Sequence, residues 1–102
     1  MALIGCKKTE LTGDLEIYVG TWESFNRTLE LNADGKGNYL ENTGNGNRSV
    51  SGRIIIDGDR LKISATFASK NFNIDHPPVE QENDEGETET VMRLDGLDYV
   101  RQ

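Results

Sequence analysis

Between residues 27 and 76 the apolar side chains recur at every second position. Leu29 and Leu31 flank Glu30. Val50, Gly52, Ile54 and Ile56 fall on one side of the chain, with Ser51 and Arg53 on the other. Leu61, Ile63, Ala65 and Phe67 alternate with Lys62, Ser64 and Thr66, and Phe72 and Ile74 alternate with Asn71, Asn73 and Asp75. In a strand successive side chains leave opposite faces, so this period specifies segments with one dry face and one wet face. Helical spacing is confined to residues 14–19, enough for one turn ahead of the first strand.

Turn dipeptides cut this pattern at regular intervals. Asp34-Gly35, Asn45-Gly46, Asp57-Gly58 and Asp95-Gly96 pair a residue that tolerates positive φ with a glycine, as hairpin corners require. The first three are spaced by 11 and 12 residues, and a turn-like cluster, Ser69-Lys70-Asn71, follows 12 residues later. Such a rhythm predicts consecutive hairpins. The expected strands are 20–25, 27–32, 36–42, 49–57, 60–67, 70–76, 88–94 and 97–101. Eight short antiparallel strands in chain order favour an all-β, up-and-down barrel, because closure removes exposed edges. Pro77-Pro78 predicts a break, with 77–87 as a mobile loop. Within Ile54-Ile55-Ile56, Ile55 must face outward, either beneath the N-terminal tail or as a contact in a homodimer.

A chain of 102 residues with 34% apolar content makes one domain with a lean core. The formal charge of -7 argues against a nucleic-acid partner. That charge is concentrated. Residues 71–92 contain no Lys or Arg, and 75–89 hold Asp75, Glu80, Glu82, Asp84, Glu85, Glu87 and Glu89. The remaining acids equal the basic residues in number, so one segment carries the net charge. It reads as a solvated loop, or more sharply as a weak cation site or a docking surface for a basic partner.

Little in the chain suggests catalysis. Nucleophilic and acid–base sites need several groups that hold one another in place, and here one His and one Cys lie far apart. His76, beside Asp75 and Pro77, is expected to be a solvated loop residue, with only carboxylates to join it around a metal. Asn32–Thr43 superficially matches a calcium loop through Asp34 and Gly37. However, Lys36 stands at the third ligand position and no Glu closes it. Gly35 and Gly37 lead into a strand rather than a helix, so they do not form a phosphate cradle. Asn26-Arg27-Thr28 and Asn47-Arg48-Ser49 match glycosylation sequons, a short pattern that by itself carries little. The sequence therefore predicts no enzyme, cofactor or metal. It also contains no apolar run long enough for a transmembrane helix.

Two short motifs carry a resemblance. Leu3-Ile4-Gly5-Cys6 resembles a bacterial lipobox, which implies diacylglyceryl transfer to the Cys6 thiol. On that reading residues 1–14 are a lipobox remnant and tether, and the domain spans 15–102. Two or three acyl chains then provide the only membrane attachment. Lys7 after the cysteine favours the outer membrane, facing the periplasm. Gly20-Thr21-Trp22 resembles the Gly-x-Trp signature that opens the first strand of lipocalins and of small lipocalin-like (calycin-type) lipoprotein domains. The run Leu29–Gly37 is similar to the strand and hairpin that follow it there. In that family an Arg near the last strand packs over the Trp, and Arg101 stands at the matching place. The resemblance implies structural closure through Gly20, Trp22 and Arg101. The leading functional expectation is a non-enzymatic binding protein that holds a small apolar or amphipathic ligand in the barrel mouth, lined by inward positions near the strand ends, Tyr39, Phe67, Phe72 and Met92. The alternative is a protein-interaction module or inhibitor of the bacterial envelope that uses the acidic loop 77–89 or the N-terminal tail.

Overall fold

The structure, a computed structural model, describes residues 13–102. Eight antiparallel strands follow a short 3-10 helix, Gly13–Tyr18: β1 Gly20–Ser24, β2 Arg27–Leu31, β3 Lys36–Asn42, β4 Asn47–Asp57, β5 Arg60–Ser64, β6 Ser69–Glu82, β7 Thr88–Leu94 and β8 Leu97–Arg101. They close in sequence order, β8 returning to β1 through Trp22 opposite Arg101 and Glu23 opposite Val100. The alternation places Trp22, Leu29, Leu31, Ile54, Leu61, Ile63, Met92, Leu94 and Tyr99 in the interior, each at most 1% exposed. Burying a large apolar side chain contributes about 1.5–3 kcal/mol, so this stripe drives closure.

Two strands exceed the expected length because each serves two neighbours in turn. In β4, residues 47–53 pair with β3 and residues 53–57 with β5. In β6, residues 69–73 pair with β5 and residues 74–82 with β7. Glycine allows the β4 crossover: a Cβ on Gly52 would lie 2.2 Å from the Ser64 carbonyl oxygen.

Four expectations change. The strand predicted over 60–67 ends at Ser64, and the chain turns through Ala65–Ala68, closed by the Ala65 amide donating to the Ala68 carbonyl at 2.8 Å. Phe67 therefore leaves the interior face, and Ser69-Lys70-Asn71 is strand rather than turn. The predicted loop 77–87 is strand as far as Glu82, with a short turn at 83–87. Pro77-Pro78 is tolerated for two reasons. The register slips on either side of His76, giving a bulge, and this half of β6 pairs only with β7, so no second partner asks for the missing amides. At Asn45-Gly46 the positive φ belongs to Gly44 instead, at 89°. Asp95-Gly96 behaves as expected, both residues taking positive φ between paired Leu94 and Leu97.

Candidate functional site

In an up-and-down barrel alternate turns share an end. The turns after β2, β4 and β6 lie at the end where β1 begins, beside the 3-10 helix. Here Trp22 donates its indole N–H to the Tyr18 carbonyl at 2.9 Å. The Arg101 guanidinium lies 5.3 Å over the indole. Its Nη1 donates to the carbonyls of Ile17 at 3.2 Å and Val19 at 3.1 Å, and its Nη2 to Thr90 Oγ1 at 3.4 Å. One side chain thus ties the helix and β7 to the β1–β8 seam. Gly20 makes room for it, since a Cβ there would sit 2.7 Å from Arg101 Cδ. The structure brings Gly20, Trp22 and Arg101 together.

The other end carries an aromatic and cationic group. Tyr39 and Phe72 meet edge to face at 5.3 Å. The Lys70 ammonium caps both, 5.2 Å from one ring and 5.4 Å from the other. The Tyr39 hydroxyl donates to Glu41 and accepts from Arg27 Nε, each at 3.2 Å, and Arg27 pairs with Glu41 at 3.3 Å. Burial pushes the Tyr39 phenol above its usual range, and that of Tyr99 further. Among the described residues the ion pairs are Arg27–Glu41 and Arg93–Asp98, so Lys70 has no carboxylate partner there.

Of the four expected lining residues, Tyr39, Phe72 and Met92 lie in the packed core, and Met92 is fully buried. Phe67 does not join them: it stands on the β5–β6 turn, 96% exposed. Sequence reasoning missed Lys70, Arg27 and Glu41. Lys70 was hidden inside a supposed turn. Arg27 and Glu41 sit opposite each other on β2 and β3, a pairing visible only once the register is known.

A large groove of about 940 Å³ lies on the outer wall across β3, β4 and β5, lined in part by Lys36, Asn38, Ser51, Arg53, Ile55 and Ser64. Ser51 donates to the Asn38 side-chain oxygen. Ile55 faces out here, 38% exposed.

The acidic segment forms an ordered arm. Beyond Val91 the β6–β7 hairpin outruns β8, whose pairing stops at Val91–Val100. Glu80–Thr90, Gln81–Glu89 and Glu82–Thr88 pair only with one another. The Asn83 side chain holds the tip, its Oδ1 accepting from the amides of Glu85 at 2.9 Å and Glu87 at 3.0 Å, and its Nδ2 donating to Glu89 at 3.3 Å. His76 lies within β6, its Nδ1 3.0 Å from the Pro77 carbonyl oxygen. Among the described residues, no three His, Cys, Asp or Glu side chains converge as a metal site. Cys6 and the N-terminal tail up to residue 12 lie outside the described residues. Comparison with protein-family profiles, curated proteins and solved structures returned no match.

Proposed function

We propose that this chain is a non-enzymatic interaction module of the bacterial cell envelope, lipid-anchored through Cys6, that docks a basic partner protein on its acidic β6–β7 arm. One observation carries the reading. A two-stranded extension stands past the barrel wall, bears Glu80, Glu82, Asp84, Glu85, Glu87 and Glu89, and has no cation on residues 71–92. Repulsion among like charges works against such an arm, and a two-stranded ribbon is marginal alone. A cationic partner relieves both costs, and steers the encounter as well. A lipocalin-like ancestry, with Trp22 and Arg101 as its closure, agrees with the closed barrel.

A photo-reactive residue in place of Glu85 tests this in intact cells, with the same residue in place of Lys62 as control. The expected result is one discrete adduct from position 85, lost when Glu80, Glu82, Glu87 and Glu89 become Gln. Equal adducts from both positions, or none, would refute it. Intact-mass analysis of chain expressed in a bacterium tests the anchor, and an unmodified Cys6 thiol excludes it.

The barrel-mouth ligand is the second reading, favoured by the Lys70 ammonium over Tyr39 and Phe72, which has no carboxylate partner among the described residues. Tyr39 and Phe72 are themselves buried, so such a ligand would sit at the rim beside Lys70, and the chemistry selects an amphipathic anion. Native mass spectrometry of the protein and of Lys70→Ala decides it: a bound small molecule is retained by the first and lost by the second.

A further inference from the structure

The turns at the two ends of the barrel differ in chemistry. Beside the 3-10 helix, the β2–β3, β4–β5 and β6–β7 turns contain Asp34, Asp59, and Asp84, Glu85 and Glu87. At the opposite end the β1–β2, β3–β4 and β5–β6 turns, Phe25-Asn26, Thr43–Gly46 and Ala65–Ala68, hold no charged residue. The fourth turn there is Asp95-Gly96, and the Asp95 carboxylate is engaged by the Asn73 amide at 2.9 Å. Two of the uncharged turns carry phenylalanines that are 78% (Phe25) and 96% (Phe67) exposed. These are the most exposed large apolar side chains among the described residues. Leu40, 49% exposed, faces out from β3 and borders a shallow groove with Ser24 of β1 and Asn26 of the first turn; Glu23 and the Arg27–Glu41 pair also line it, on the strands below the turns.

From this asymmetry we infer that the end bearing Phe25 and Phe67 inserts its turns into a lipid surface. The two turns are four strands apart on the barrel. Two separated rings form no continuous patch of the size a stable protein interface needs. A fluid acyl layer imposes no such requirement, because it closes around each ring independently. Uncharged turns enter the headgroup region without the desolvation cost that a carboxylate imposes. The acidic turns and the arm at the other end keep that end in water. The contact needs neither Cys6 lipidation nor a partner on the arm.

Co-flotation of the unlipidated full chain with phosphatidylcholine vesicles provides the test. The wild type is expected to float with the vesicles. Phe25→Ser and Phe67→Ser should each weaken partitioning about tenfold, and the double variant should remain in the aqueous fraction. Both side chains are exposed, so the melting temperature should not change, which separates lost binding from lost folding. Charge-neutral arm variants should float at least as well as the wild type. The inference fails if the wild type does not float, or if the double variant floats equally. It also fails if the serines instead abolish concentration-dependent self-association, which would make the rings a contact between copies.

Discussion

Removing the Arg101 side chain should open the seam that turns eight strands into a barrel. In Arg101→Ala two charge-assisted hydrogen bonds to the Ile17 and Val19 carbonyls, at 3.2 and 3.1 Å, disappear together with a longer one to Thr90 Oγ1 at 3.4 Å that adds little. A hydrogen bond to a charged group is worth ~1.5–3 kcal/mol when buried. Arg101 is only partly buried, so about 1 kcal/mol each is appropriate. The stacking over Trp22 at 5.3 Å adds about 0.5–1 kcal/mol. The total is about 2–3 kcal/mol, a large part of the ~5–15 kcal/mol available to a small domain. The chain has one tryptophan, and it is buried beside the lost guanidinium, so its emission reports the change. A urea titration followed at that wavelength should give a lower midpoint with an unchanged slope, and the melting temperature should fall by roughly 10–20 °C. Arg101→Lys should recover less than half, because one ammonium cannot serve two carbonyls and a ring in the same geometry. Gly20→Ala should couple to both, since its Cβ clashes with Arg101 Cδ. Combined with Arg101→Ala, that steric part of its cost vanishes. An Arg101→Ala midpoint within about 0.5 kcal/mol of wild type would refute the reasoning.

Three further predictions concern the barrel wall and its corners. Gly52→Ala, whose Cβ would meet backbone at 2.2 Å, should cost more than about 3 kcal/mol in a denaturation curve. Gly37→Ala meets the movable Ile54 side chain at 2.8 Å and should cost about 1–2 kcal/mol. Asn26, at φ 62°, should gain up to ~1 kcal/mol in thermal stability on replacement by Gly. Asp95→Gly should show no such gain despite its φ of 51°, because its carboxylate accepts the Asn73 amide. Burial raises the phenol pKa of Tyr18, Tyr39 and Tyr99, the three tyrosines of the chain. The folded state then holds protons that the unfolded state releases, so stability is intact below the unfolded phenol value of ~10 and falls as pH rises above it. Absorbance at 295 nm should show little ionisation near pH 10, then a steep rise together with loss of the circular dichroism signal. A smooth titration centred at pH 10 would contradict the burial.

The barrel was legible because its cause is local and repeated. Each of Leu29, Leu31, Ile54, Leu61, Ile63, Phe72 and Ile74 occupies the dry face that its parity assigns, and Gly20, Trp22 and Arg101 meet as the resemblance implies. Parity failed at Ala65 and Phe67. An apolar residue at the right spacing looks the same whether it ends a strand or caps a turn, and only the β4 crossover at Gly52 decides where β5 must stop. Pro77-Pro78 misled for a related reason: proline forbids a two-sided strand, and this stretch of β6 is one-sided. The site was less legible than the wall. Lys70, Tyr39, Phe72, Arg27 and Glu41 come from three strands, and no short motif announces a group assembled by register.

The closure itself is best tested by nuclear Overhauser contacts across the first and last strands in the intact protein. The barrel predicts cross-strand contacts between Trp22 and Arg101 and between Glu23 and Val100, alongside those of every consecutive hairpin. Hairpin contacts without any between β1 and β8 would mean an open sheet and would contradict the account.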